Sequence, residues 1–172
     1  GITTSSNPAG AVPLLSFAPS DSVTITLAQT DIPVGDSTTT AVVNFEHELA
    51  LLAKAHVDVI HAVGGSLNLN VDVFKAIHND GISFAAGDQI TLVDTNANLA
   101  TVLTNAATYA AQGATSIYAS DGLQVSLANF QNAVKSLTIA SGQTVAVSFG
   151  DADVVALRSN LTTLQAQGMN TV

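Results

Sequence analysis

A phrase that recurs within one chain constrains its fold more than composition does. Each copy must repeat the same local structure, and it can bury its apolar face only against a neighbour. From Gly64, GGSLNLNVDVFKAIHNDGISFAAGDQITLVDTNANLATVLTNAATYAAQG runs over DGLQVSLANFQNAVKSLTIASGQTVAVSFGDADVVALRSNLTTLQAQG, from Asp121, at an offset of about 55 to 57 residues. Leu67 aligns with Leu123, Leu69 with Val125, Phe74 with Phe130, Ala76 with Asn132 and Ile77 with Ala133. After one deletion Gly87 aligns with Gly142, Ile90 with Val145, Ala97 with Ala152, and Gln112-Gly113 with Gln167-Gly168. A partial copy precedes these two: FAPSDSVTI from Phe17 matches FAAGDQITL from Phe84, and HVDVIHAVGG from His56 matches GATSIYASDG from Gly113. The partial copy carries an insertion, TDIPVGDSTT, which Pro33, Gly35 and Asp36 mark as an exposed loop.

Within each unit the hydrophobic period switches. SLNLNV and LQVSL alternate as strands, and VDVFKAIHND and LANFQNAVKS follow as short amphipathic helices with Asn70 and Ser126 as N-caps. A second strand, bent at Gly87 or Gly142, leads into a longer helix over about residues 96–112 or 151–167. Gly113 and Gly168 stand where a left-handed C-cap belongs. A last strand, TSIYAS or VDVIHAV, reaches the next unit through Asp121-Gly122 or Gly64-Gly65, which is tight-turn chemistry. The expected fold class is α/β: a solenoid-like repeat stack of strand, short helix, strand and long helix, with two full copies and one partial copy. A compact α/β sandwich made by pseudo-symmetric duplication is the runner-up. The expected organisation is one domain over 1–172, comprising a flexible tail (1–11), the partial first copy with its inserted loop (12–65), and full copies at 66–122 and 123–172.

Charge narrows the partners. The only basic residues, Lys54, Lys75, Lys135 and Arg158, face 13 acids for a net charge of −9, too few cations to neutralise a phosphate backbone or an anionic membrane surface. Charged residues make up only 10% of the chain while 47% is hydrophobic, so solubility rests on Thr, Ser, Asn, Gln and Asp, a surface common among exported proteins. The lack of cysteine rules out disulfides, thiolate catalysis and sulfur-ligated metals. No apolar run reaches the roughly 18 residues that a membrane helix needs, and the first residues have neither the basic nor the apolar part of a signal peptide.

The segments ITLVDTNANLATVL and GDADVVALRSNLTTLQAQG, with IYASDGLQVSLANFQ between them, resemble the degenerate α/β repeats of large alphaproteobacterial secreted and surface proteins. In those proteins a DTAANL phrase opens each long helix. The likeness covers about residues 56–172. It implies an extracellular or cell-surface location, an adhesin or surface-layer role and, often, type I secretion. The calcium-binding nonapeptide of such exported proteins is missing, since no Gly-x-Asp follows GGSLNLN.

Chemistry-bearing residues are sparse. Asp94, Asn96 and Asn98, together with Asp151 and Asp153, place oxygens at alternate positions and are the candidate calcium ligands. An EF-hand is excluded because Leu99 stands at its glycine position and Asn105 at its glutamate position. The competing role for the same residues is helix capping, in which case Asp94→Ala costs about 1 kcal/mol. His47, His56, His61 and His78 all fall in the N-terminal half, with spacing that suits surface or strand-end positions better than a metal or haem site. Glu46 and Glu48 point about 200° apart on a helix, and no Ser lies in a nucleophile elbow. The expectation is a non-enzymatic structural or adhesive module that needs no cofactor and whose partners are neighbouring modules or a surface. The alternative is a small ligand- or metal-binding domain, catalytic or not, built on the histidine-containing first copy.

Overall fold

A computed structural model describes residues 3–4, 15–18, 20–33 and 39–170. Most of the expected tail (1–11) and the middle of the inserted loop (34–38) lie outside the described residues. In chain order the elements are β1 (Thr3–Thr4), β2 (Leu15–Ser16), β3 (Val23–Leu27), α1 (Thr40–Lys54), β4 (Val57–Ala62) and β5 (Ser66–Leu69). Next come α2 (Val71–Asn79), β6 (Ser83–Phe84), β7 (Gln89–Asp94), α3 (Asn96–Thr104), α4 (Ala106–Ala111) and β8 (Ala114–Ala119). The chain continues through β9 (Leu123–Ser126), α5 (Leu127–Ala133), β10 (Thr138–Ile139), β11 (Val145–Ser148) and α6 (Val154–Ala166). The fold is thus mixed α/β, with parallel-strand sheets and six helices among the described residues.

Apart from the β1–β2 pair, every described strand pairing is parallel, in sheets ordered β3-β4-β6, β10-β8-β7-β5 and β11-β9. Parallel partners need a crossover, and the helices supply it. Ile60 lies opposite Phe84, Leu67 opposite Ile90, Ile117 opposite Ile139 and Val125 opposite Val147, a spacing of 22 to 24 residues. This spacing is less than half the offset of about 55 to 57 residues at which the sequence matches itself. The first spacing is wider, with Ile25 opposite Ile60, because the insertion lies between them.

Alternation puts Leu67 and Leu69 of β5, and Leu123 and Val125 of β9, into the core, while Asn68 and Gln124 face out. Phe74 and Phe130 are both fully buried. Asn70 caps α2 through Val73 N, and Ser126 caps α5 through Asn129 N, as their positions in the sequence predict. Gly113 and Gly168 take φ of 102° and 108°, with the β-carbon positions of Phe84 and Ile139 close by, so the left-handed turn there leaves little room for a side chain.

Three local features depart from expectation. The first long helix is broken at Asn105, whose side-chain amide donates to Thr101 O while Thr104 Oγ1 donates to Ala100 O. Such side-chain bonds compete with the helical ladder. The second long helix starts as a 3₁₀ turn at Asp151–Asp153 before α6. The insertion is not wholly exposed: Ile32 is only 4% accessible and belongs to the core. Beside it, the Gln29 amide donates to Asn68 O at 3.0 Å and accepts from Asn68 N at 2.6 Å, so one side chain extends the ladder at β5.

Candidate functional site

The calcium candidates lie at the end of β7 and at the starts of α3 and of the segment leading into α6. Asp94, at the end of β7, accepts Val71 N at 3.0 Å on Oδ2, and Thr95 N and Asn98 Nδ2 at 2.8 and 2.7 Å on Oδ1. One carboxylate therefore serves the N-termini of two helices, α2 and α3, where the helix dipoles favour negative charge. The N-cap of α3 is Thr95, through Asn98 N, and not Asp94. Asn96 Oδ1 accepts Gln124 N at 2.9 Å, and Asn96 N donates to Asp121 Oδ1 at 2.6 Å, tying α3 to the turn before β9. Asn98 donates its amide to Asp94, and Asp153 accepts Gly150 N at 3.1 Å. The structure thus brings Asp94 and Asn98 together, with Asn96 next to them engaged to the following layer. Asp151 and Asp153 lie one unit away at the start of α6. Among the described residues no group of three or more His, Asp or Glu side chains is placed to hold a metal ion.

Sequence reasoning missed the two polar side chains that are buried among the described residues. Asp88 and Gln143 are each 7% accessible and follow the aligned Gly87 and Gly142. Asp88 accepts Ala62 N at 2.7 Å, and Gln143 accepts Ala119 N at the corresponding strand end, where an unpaired buried N–H would be costly. The signal was present in the alignment, since both polar residues follow the aligned glycines Gly87 and Gly142, yet neither belongs to a familiar motif.

The four histidines are dispersed. His47 is exposed on α1; His61 Nδ1 lies 3.1 Å from Asp88 Oδ1. His56 immediately precedes β4 with φ of 62°, the left-handed position that glycine holds at 113 and 168. His78 packs edge-on against Phe74 and Phe84, and Phe74 also stacks on Tyr109 at 5.7 Å. Burial in this cluster lowers the His78 pKa below its ordinary 6.5, opposed by a hydrogen bond with the Gln112 backbone; its Nε2 is buried without a partner.

His78 and Tyr109 line a groove of about 280 Å³ between α2 and the α3–α4 segment, together with Lys75, Asn105, Thr108 and Gln112. One unit later the matching groove is lined by Gln131, Val134, Lys135, Asn160, Thr163, Leu164 and Gln167. The Asn105, Thr108 and Gln112 positions recur as Asn160, Thr163 and Gln167, whereas His78 becomes Val134, Tyr109 becomes Leu164, and the lysine moves, Lys75 becoming Gln131 and Asn79 becoming Lys135. Glu46 and Glu48 sit in the middle of α1 and approach neither groove. No family model, curated relative or solved structure matches the chain.

Proposed function

We propose that the chain is a solenoid-like repeat stack serving as a structural or adhesive module of a secreted or surface bacterial protein. The observation that carries this reading is the correspondence of roles one unit apart. Phe74 and Phe130 fill the core, Asn70 and Ser126 cap the short helices, Gly113 and Gly168 turn the chain, and Asp88 and Gln143 hold the strand ends. A layer of this kind buries its apolar face only against the next, which gives a modular scaffold. The non-enzymatic part of the reading is supported by the use of Asp94, Asn96 and Asp88 in bonds between layers. The alphaproteobacterial likeness and the charge-poor surface support the compartment.

Antibodies raised against the purified chain, applied to intact and to permeabilised cells of the source organism, test this reading. Labelling of intact cells is expected; labelling only after permeabilisation would refute it. The sequence places the second reading, a small-ligand site, in the histidine-containing first copy; the observation that favours such a site lies in the next copy, where His78 and Tyr109 stand in place of Val134 and Leu164. A calcium role for Asp94, Asn96, Asn98, Asp151 and Asp153 has weaker support, because the Asp94 oxygens already accept three protein donors.

A further inference from the structure

Two grooves carry the same three polar residues at aligned positions. Asn105, Thr108 and Gln112 line the groove between α2 and the α3–α4 segment, and Asn160, Thr163 and Gln167 line the one between α5 and α6. All six are exposed, and the spacing i, i+3, i+7 sets each trio along one helical face. Neighbouring positions of the same segments differ between the copies: Asn98 aligns with Asp153, Thr101 with Ala156 and Thr104 with Ser159. Intramolecular bonding does not account for the match. Asn105 donates to Thr101 O at 3.0 Å and Asn160 is engaged within the protein, but the side chains of Thr108, Gln112, Thr163 and Gln167 make no hydrogen bond among the described residues. Each groove also holds one lysine, Lys75 in the first and Lys135 in the second, at positions that do not align. No acid lines either groove, although the chain has 13 acids against four basic residues. Lys75 lies 3.8 Å from Asp72, but both side chains are at least 40% exposed, and a surface pair of that kind holds the cation weakly. The first groove is open with α5 already packed beside α3 and α4, so its access does not depend on a missing neighbour.

We propose that each groove binds one sugar acid, a polyhydroxylated ring that bears a carboxylate. Amide and hydroxyl side chains both donate and accept, which is what adjacent hydroxyl groups require of a partner. A lysine in a groove without carboxylates supplies the counter-charge for the anion. Volumes of about 280 and 330 Å³ stand at the small end of ligand sites, room for a single ring and not for an extended molecule. One lysine per groove matches one carboxylate and is far short of what a phosphate backbone needs. The shared residues carry this inference, and His78, which only the first groove holds, is not required for it. It gives the adhesive reading a ligand class and rests on that reading only for the setting in which such a ligand is met.

Titration of the ¹⁵N-labelled full chain with sodium D-galacturonate tests the assignment, because the side-chain amide signals of Asn105 and Gln112 report the first groove and those of Asn160 and Gln167 the second. Both pairs are expected to shift along saturating curves. D-galactose lacks the carboxylate and sodium acetate lacks the hydroxyls, so each should bind about tenfold more weakly or worse, the loss that goes with one charge-assisted hydrogen bond. Lys75→Gln should weaken the first groove alone and Lys135→Gln the second alone, again by about tenfold, with the wild-type melt kept. Thr108→Val should weaken the first groove and leave the second as it is. Absence of a saturating shift in either pair overturns the proposal, as do acetate shifts equal to those of galacturonate, or affinities that ignore both lysine substitutions. Shifts confined to Asn105 and Gln112 overturn it too, since they would credit His78 and not the shared residues. The surface-module reading fails separately, in the cell-labelling experiment: a protein displayed on intact cells that ignores galacturonate refutes the groove assignment alone.

Discussion

Replacing Asp94 by alanine removes one acceptor group from three donors at once. Val71 N is half-buried at the start of α2, and its bond to a charged acceptor falls in the class worth about 1.5–3 kcal/mol. The Thr95 N and Asn98 Nδ2 bonds are exposed, so water replaces most of what is lost there. Loss of a carboxylate from two helix N-termini adds about 0.3–1 kcal/mol. The expected total is about 2–3 kcal/mol, above the ~1 kcal/mol of a single cap, because the same side chain bridges two layers. Asp94→Asn keeps one acceptor oxygen and should cost about half as much. Urea unfolding with an unchanged m-value gives these differences directly. Excess calcium and excess chelator should give coincident curves at matched ionic strength, whereas an ion bound only to the folded state would add about 2.7 kcal/mol at a hundred times its dissociation constant. A loss below about 0.5 kcal/mol in Asp94→Ala, within the range of ordinary surface changes, would refute the bridging role. A calcium-specific gain abolished by that substitution would restore the ion site.

Three further outcomes follow from particular positions. Phe74→Ala and Phe130→Ala should each cost about 3–5 kcal/mol in chemical denaturation, with Phe74 the costlier by roughly 0.5–1.5 kcal/mol for its ring partners; a near-neutral Phe130→Ala would break the correspondence. Because burial lowers the His78 pKa in the folded state, the unfolded chain takes up the proton first, so stability is full above about pH 6.5 and declines as the pH falls below it. His78→Val, which copies Val134, should flatten that part of the stability profile; an unchanged slope would assign the pH response to other groups. His56→Gly should gain about 0.5 kcal/mol, since relief of the left-handed conformation slightly exceeds the added chain entropy, and a thermal melt showing a clear loss would mean that the imidazole makes a stabilising contact.

Much of this architecture was legible because the determining interactions are local. Asn70 and Ser126 cap helices within three residues, Gly113 and Gly168 supply a backbone conformation, and alternation in SLNL and LQVS assigns their faces. What escaped notice depends on residues brought together from different layers. Asp94 sits one residue before the cap position of its own helix, and its contact with Val71 arises only when β7 pairs with β5. Ile32 lies among turn residues that signal exposure, yet the core claims it. The phrase repeat also hid the strand pairing: Leu67 lies opposite Ile90, although the sequence match of Leu67 is Leu123.

The stack itself is tested most directly by inserting a second copy of residues 66–122 after Gly122. In a linear stack, the inserted layers meet on each side the same faces that natural neighbours present, and no existing contact has to break. One cooperative transition is expected, with greater stability and an m-value larger by about a third, in proportion to the added buried surface. A closed α/β sandwich has no place for the insert. Loss of the cooperative transition, or a parental m-value alongside a separately unfolding or protease-sensitive insert, would contradict the stack.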